Sequence, residues 1–158
     1  MTRRSAITLI AGALAACSGR GASPAAQNAA SEVPAVETAI TQWFDSGLAR
    51  MDTLAVARGL SPTFAIFEDT MRYDKPGFVM LVAGLRGTLT LQYTLSEWNT
   101  KVQDGVAWSS FRNRAVLTPT NGSPAQLEWL ETAVLLKVAD HWVIDRYQST
   151  PVHRAAPH

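Results

Sequence analysis

The sequence has few of the residues from which metal centres and covalent cross-links are made. Its 158 residues include one cysteine and three histidines, at positions 141, 153 and 158. A single cysteine excludes a disulfide within the chain and a zinc site built from several cysteines, and three histidines argue against a histidine-built site. We therefore expect no metal ion and no cofactor.

An excess of charge of either sign is also missing, because 14 basic and 13 acidic residues leave a formal net charge of +1. Since such a chain has no strong overall field, we expect no nucleic-acid partner. The hydrophobic content of 47%, against 17% charged residues, is typical of a folded globular domain and not of a disordered chain. The length suits one such domain.

The first sixteen residues have the layout of a secretory signal peptide. Arg3 and Arg4 precede the apolar stretch 7–14, which is too short to span a bilayer as a helix. The only cysteine follows, so that the motif Leu-Ala-Ala-Cys at 14–17 resembles the lipobox of bacterial lipoproteins. The alternative is a chance cysteine beside an ordinary cleavage site.

The lipobox resemblance implies that residues 1–16 are removed and that Cys17 is acylated, which anchors the protein stably in a membrane. An aspartate directly after the lipidated cysteine would signal retention in the inner membrane. Ser18 stands at that position, which implies transport to the outer membrane, with the protein facing the periplasm. The export route, general secretory or twin-arginine, stays open. Small and polar residues over 17–32 predict a flexible tether, with an alanine helix as the alternative, and 153–158 predict a short tail.

Residues 33–152 have the pattern of one folded domain. Apolar residues at helical spacing predict three helices in its first part. The predicted helix caps are Ser31, Asp52 and Asp74. The third helix is ambiguous, because residues 78–82 also suit a strand.

Alternation of apolar and polar residues after Gly87 predicts a series of long antiparallel strands, with one further strand before the third helix. The predicted strands cover 63–68, 89–96, 106–117, 126–138 and 141–150. Helices followed by a strand meander indicate an α+β fold, with about three helices packed on one face of an antiparallel sheet of four to six strands.

The predicted domain resembles the nuclear transport factor 2-like domains of the SnoaL-like type. The segments that carry the resemblance are Trp43, 52–54, 60–64, 131–137 and 142–150. The resemblance implies a cone-shaped roll, in which a curved sheet wraps around the first helix and leaves a pocket at its wide end. Members of this family include isomerases, dehydratases and oligomerising adaptors, so the fold alone does not determine a function.

The last strand departs from the family at a position that matters for catalysis. Gln148, Ser149 and Thr150 stand where members often have a His-x-Ser sequence, so the obvious general acid–base near neutral pH is missing. We therefore expect a domain that binds a small molecule or an envelope protein without catalysis. The alternative is a small periplasmic isomerase, dehydratase or hydrolase that uses the cone pocket.

Alternation along the last strand predicts that Arg146 and Gln148 point into the cone together with Trp142 and Ile144. A buried arginine needs a negative partner. We therefore expect Arg146 either to recognise a carboxylate or phosphate on a small ligand or to pair with Glu131 across the hairpin.

Aromatic residues supply the expected apolar walls of the ligand pocket. These are Trp43, Phe67, Tyr73 and Trp98, although Trp43 and Phe67 also suit plain core positions. Trp98 alternates with the polar residues before it, which predicts an outward position, and an exposed Trp98 or Trp108 would suit a homodimer formed through the sheet face. The face that carries Arg112 and Arg114 stays open.

Overall fold

The structure, a computed structural model, describes residues 24–68 and 70–152. The predicted signal peptide, Cys17 and the tail 153–158 lie outside the described residues. The helices are α1 (Pro24–Gln42), α2 (Thr53–Arg58) and α3 (Lys75–Leu85), and a π-helical segment, Trp43–Leu48, continues α1. None of the described helices is long and apolar enough to cross a membrane.

Six strands form one curved, unclosed sheet in the order β2-β1-β6-β5-β4-β3. The strands are β1 (Leu60–Glu68), β2 (Met71–Asp74), β3 (Leu89–Gln103), β4 (Val106–Pro119), β5 (Ala125–Val138) and β6 (His141–Pro151). Neighbouring strands are antiparallel except β1 and β6, which are parallel. The α+β prediction is confirmed, and the four-residue strand β2 is the element that the sequence pattern missed.

Helix α1 lies against the inner face of the sheet because its apolar residues recur every three or four positions. Val36 and Ile40 are fully buried. The helix begins at Pro24 and not at the expected cap Ser31. The prediction of a flexible tether is therefore wrong for 24–32, where the alanine helix, given above as the alternative, is found.

The two other predicted helix caps are confirmed. The Asp52 carboxylate accepts hydrogen bonds from the backbone of Leu54 and Ala55 at 2.9 and 3.1 Å. The Asp74 carboxylate accepts one from the backbone of Gly77 at 2.9 Å. Each bond satisfies an N–H group that would lack a partner in the first helical turn, so both helices begin where the cap stands.

The long strands β3 and β4 are joined by the tight turn that Asp104 and Gly105 predict. Both residues have positive φ angles, 49° and 76°, which suit the two-residue turn of a twisted hairpin. The inner face of the sheet and the helices enclose one hydrophobic core. Its largest fully buried side chains include Ile40, Phe64, Leu135 and Ile144.

Candidate functional site

A small group of polar side chains lies inside the cone, on the inner face of β4, β5 and β6. Glu131, only 4% exposed, stands on β5 opposite Phe111 of β4 and Ser149 of β6. Asn113 and Ser149 are also buried. We call Glu131, Asn113, Tyr147 and Ser149 the interior polar cluster.

The hydrogen bonds of the interior polar cluster are incomplete. Asn113 donates from Nδ2 to Oε1 of Glu131 at 3.0 Å. Oε2 of Glu131, Oδ1 of Asn113 and the hydroxyl of Tyr147 are buried and have no well-formed hydrogen bond to any described residue. A buried polar atom without a hydrogen-bond partner destabilises the folded protein. A proton on the carboxyl, or a polar group of a ligand, would supply the missing hydrogen bonds and remove that cost.

Burial raises the pKa of the Glu131 carboxyl to about 7. The side chains of Asn113, Ser149 and Tyr147 oppose this by favouring the ionised form, whereas the charge of Glu68 raises the pKa further. In the described part of the chain, no lysine or arginine forms an ion pair with Glu131. Its carboxyl can therefore hold or release a proton near neutral pH.

Tyr147 connects the interior polar cluster to the aromatic core. Its ring lies 5.4 Å from the ring of Trp43 and 6.3 Å from that of Phe111, measured between centroids. Burial, and then the charge of Glu131, raise the pKa of the Tyr147 hydroxyl well above its usual value. Tyr147 therefore keeps its proton at neutral pH.

A cleft of about 760 Å³ lies beside the cluster, near the end of the sheet where β4 ends and β5 begins. Its lining includes Tyr93, Ala115 and Trp129. Ala115 follows Asn113 by two residues on β4, and Trp129 is the direct cross-strand neighbour of Asn113. All three residues stand on the inner face of the sheet, Ala115 and Trp129 two positions along their strands from the cluster and Tyr93 opposite Ala115, whereas the cluster residues themselves are not part of the cleft lining.

The wall residue Tyr93 is held by the π-helical segment. Its hydroxyl donates a hydrogen bond to the Asp45 carboxylate, and its ring packs on Phe44 with centroids 4.9 Å apart. Burial and the Asp45 carboxylate together raise the pKa of Tyr93. Because π-helical turns frequently occur at functional sites, the π-helical segment beside Tyr93 supports a functional role for this wall.

Known proteins show the same architecture without close sequence similarity. No protein-family model and no curated protein matches the sequence. A provisionally assigned scytalone dehydratase from Novosphingobium aromaticivorans has a TM-score of 0.73 at 12% identity, over 82% of this chain and 89% of its own. A provisionally assigned dehydratase of the nuclear transport factor 2-like family from Streptomyces avermitilis gives 0.69 at 14%, over 79% and 99%.

A ketosteroid isomerase-like protein from Erwinia carotovora atroseptica has a TM-score of 0.65 at 16% identity, over 78% of this chain and 98% of its own. The chain has the nuclear transport factor 2-like fold. At identities this low the similarity establishes the fold alone, so the function of this nuclear transport factor 2-like domain must be argued from its own residues.

The expectation that Arg146 and Gln148 point into the cone is wrong. A β-bulge between Ile144 and Arg146 adds one residue, Asp145, opposite β5. Beyond the bulge the alternation is reversed, so Tyr147 and Ser149 are buried while Arg146 and Gln148 are exposed.

Arg146 also does not pair with Glu131. Its Nη1 donates to the carbonyl of Thr63 at 2.7 Å and to the Asp145 carboxylate at 2.8 Å, and its side chain is 47% exposed. The predicted ion pair with Glu131 is therefore wrong, and Arg146 lies outside the cone in which the alternative, an anion site, was expected.

The predicted aromatic walls are dispersed. Trp43 is buried in the hydrophobic core, which is the alternative position predicted for it. Tyr73 is half-buried and packs against the same core. Phe67 is 46% exposed beside Gln148 of β6, with the Arg72 guanidinium 5.9 Å from its ring, so neither a core position nor a pocket wall describes it.

Trp98 is a second residue that a bulge displaces from its predicted face. Glu97 has a positive φ of 57° and lies within a bulge between Ser96 and Asn99 of β3. The reversed alternation turns Trp98 inward, where its ring lies 4.6 Å from Phe111. The prediction of an outward Trp98 is therefore wrong.

The outer face of the sheet carries Arg112 and Arg114, which settles a question that the sequence left open. Arg112 pairs with Glu97 at 2.8 Å and with Glu128, and Arg114 lies 3.5 Å from Glu128. Trp108 stands on the same face and is 42% exposed. This face therefore combines a neutralised charge network with an exposed aromatic ring.

Three residues of the interior polar cluster were missed from the sequence. Asn113 could have been found, because it alternates in phase with Phe111 and Ala115 along β4. Tyr147 and Ser149 gave no such signal, since the bulge that turns them inward has no clear sequence mark. Among the described residues there is no cluster of histidine, cysteine or acidic side chains that could hold a metal ion.

Proposed function

We propose that this domain binds a small molecule in the cleft at the end of the sheet, with the interior polar cluster at the inner end of the site. One observation carries the proposal: a cleft of about 760 Å³ is lined by Trp129, which precedes on the same face of β5 the buried carboxyl of Glu131, and this carboxyl has no ion pair in the described chain. Clefts of this size, with aromatic walls and a few convergent polar groups, are typical of small-molecule sites.

A larger side chain placed in the cleft tests whether the cleft binds a small molecule. Ala115 is 4% exposed and lines the cleft, so Ala115→Leu adds bulk where a ligand would lie. Aromatic fragments are titrated against the full chain while the indole N–H signal of Trp129 is followed by NMR. Fragments that shift this signal should bind the Ala115→Leu variant at least about tenfold more weakly, which corresponds to about 1.4 kcal/mol.

A matched control is Thr132→Val, an exposed change on the outer face of β5, which should leave binding unchanged. If no fragment shifts the Trp129 signal, or if Ala115→Leu binds as the unaltered protein does, the cleft is not the site.

Proton transfer to the bound molecule is a second candidate function, favoured by the pKa of about 7 of Glu131. A carboxyl with this pKa is half ionised near neutral pH, which suits a general acid or base. For any bound molecule that is converted, Glu131→Gln should lower kcat by about 100-fold or more while binding is kept. If turnover is unchanged, Glu131 is not a general acid or base, and binding alone remains as the proposed function.

We further propose that the domain works in the bacterial cell envelope, lipidated at Cys17 and held at the outer membrane. The lipobox-like motif at 14–17 supports this proposal. The exposed Trp108 and Leu130 on the outer sheet face suit contact with an envelope protein or a second copy of the chain.

A further inference from the structure

Strand β3 forms one edge of the sheet, because β4 is the only strand beside it among the described residues. Natural proteins usually block long strand edges, and the bulge at Glu97 divides this 15-residue edge into two parts. After the bulge, Glu37 of α1 accepts a hydrogen bond from the Thr100 hydroxyl at 2.8 Å, so α1 lies against that part. The part before the bulge, residues 89–96, has no such contact with the first half of α1.

The register shows which backbone groups of this part point away from the sheet. In an antiparallel pair, alternate residues exchange hydrogen bonds with the partner strand, and the residues between them point outward. The carbonyl of Thr88 accepts a hydrogen bond from the backbone of Thr120 at 2.8 Å, in the same register as the β3–β4 pair that follows. The outward N–H and C=O groups are therefore those of Leu91, Tyr93 and Leu95, and no other described element hydrogen-bonds to them.

A groove runs between this edge and the C-terminal end of α1 with its π-helical continuation. It consists of two hollows of about 450 and 460 Å³, both lined by Thr41, Asp45 and Trp98. Residues 91–95 form the strand side, and since these five residues are consecutive, the backbone of the edge is part of the wall. We call this the β3 groove. Neither Asp45 nor Trp98 lines the cleft described above.

The β3 groove is acidic. Asp45 and Glu37 line it, and none of its described lining residues is a lysine or an arginine. Neither carboxylate forms an ion pair in the described part of the chain. The aromatic ring of Trp98 provides a further surface that attracts a cation. The groove therefore has the charge that complements a basic side chain.

We propose that the open edge of β3 takes up an extended, basic segment of another protein as an added strand. The backbone of that segment pairs with Leu91, Tyr93 and Leu95, and its lysine or arginine side chains lie beside the acidic groove. A second copy of this chain fits the edge less well, because pairing edge to edge brings two acidic grooves together. The proposal concerns a different surface from the ligand cleft and does not depend on the ligand.

Three six-residue peptides, blocked at both ends, test the proposal. One alternates valine with lysine, one alternates valine with glutamate, and the third is the lysine peptide with N-methylated backbone amides. Each is titrated against the full chain while the backbone amide signals of Leu91, Tyr93 and Leu95 are followed by NMR. The lysine peptide should shift these signals and bind at least about tenfold more tightly than the other two, which lack either the positive charge or the N–H donors.

Variants of the chain locate the binding. Asp45→Asn keeps the size of the side chain and removes its charge, so it should weaken the lysine peptide by about fivefold or more. Leu91→Pro removes an outward N–H without breaking a bond to β4, and it should bind more weakly than Leu91→Ala, which keeps that N–H. Asp104→Asn, an exposed change at the far end of β3, is the control and should bind as the unaltered chain does. If Leu91→Pro does not fold, Asp45→Asn and the methylated peptide still decide the question.

Each contrary outcome overturns the proposal. This holds if no peptide shifts the three amide signals, if the glutamate or methylated peptide binds as tightly as the lysine peptide, or if Asp45→Asn has no effect. Binding that appears only in a chain ending at Val152 would show that residues 153–158 of the same chain occupy the edge. A dimer in sedimentation that Leu91→Pro converts to a monomer would show that a second copy occupies it. None of these results affects the ligand cleft, which has its own test.

Discussion

Among single residues, Glu131 depends most strongly on its surroundings. A glutamate in water ionises at a pKa of about 4.5, but inside the cone burial raises its pKa to about 7. The folded protein therefore holds a proton on Glu131 over a range of pH in which the unfolded chain has released it. Stability conferred by this proton is present at low pH and is lost as the pH rises from about 4.5 to about 7.

Glu131→Gln should change this pH dependence. The amide keeps the size of the side chain and cannot ionise, so it avoids the cost of a buried charge above pH 7. The unfolding free energy of the variant minus that of the unaltered protein should rise by up to about 3 kcal/mol from pH 5 to pH 8. Urea unfolding at the two pH values measures the difference. An equal difference at both values would show that Glu131 does not titrate in this range.

At the scale of elements, two β-bulges decide which residues face the interior. The bulge at Asp145 is held from β1, since the Asp145 carboxylate accepts hydrogen bonds from Ser61 at 2.5 Å and Thr63 at 2.6 Å. Burial raises the pKa of Asp145, but these bonds and the Arg146 charge outweigh it, so its pKa lies below the usual value. The ionised carboxylate thus fastens the bulge that turns Tyr147 inward.

Asp145→Asn should therefore destabilise the protein at neutral pH by about 1.5–3 kcal/mol, the usual worth of hydrogen bonds to a charged group. Because the folded pKa is lowered, this contribution is present above the unfolded pKa of about 3.8 and is lost as the pH falls through the folded value. Urea unfolding at pH 7 and near pH 3 measures it. Asp140→Asn, an exposed change in the neighbouring turn, is the control and should have little effect. A loss that persists undiminished at low pH would contradict the role of the charge.

For the whole molecule, we propose separate tasks for the domain and the N-terminal segment. In this proposal the cleft of the domain binds the ligand, and the motif at 14–17 holds the domain at the membrane. The formal net charge of the sequence is only +1, so electrostatic attraction would add little to the proposed membrane attachment, and acyl chains on Cys17 would supply it.

Expression of the full chain in a Gram-negative host tests this attachment. The unaltered protein should take up labelled palmitate and fractionate with the outer membrane, and Cys17→Ser should do neither. Ser18→Asp keeps the lipid and should move the protein to the inner membrane. A chain that is unlabelled and remains in the periplasmic fraction would show that Cys17 is not lipidated.

Local patterns explain which parts of the fold could be predicted. Asp52 and Asp74 cap their helices through residues two or three positions away, so these caps do not depend on the tertiary structure. Asp104 and Gly105 form the hairpin turn because of their own backbone preferences. The tether prediction failed because residues 24–32 continue the helix whose later turns are buried at Val36 and Ile40, and extending an existing helix does not incur the cost of nucleation.

The sequence by itself determined the nearly neutral charge, the caps of the second and third helices, the four long strands and their order, because these depend on neighbours along the chain. Only the tertiary structure decided which side chains meet inside the cone. One extra residue at Asp145 reverses every later position of β6, which excludes Arg146 and brings Tyr147 to Glu131. The physical reason is that strand alternation has a period of two, so a bulge stabilised by contacts distant in sequence changes the face of all residues that follow.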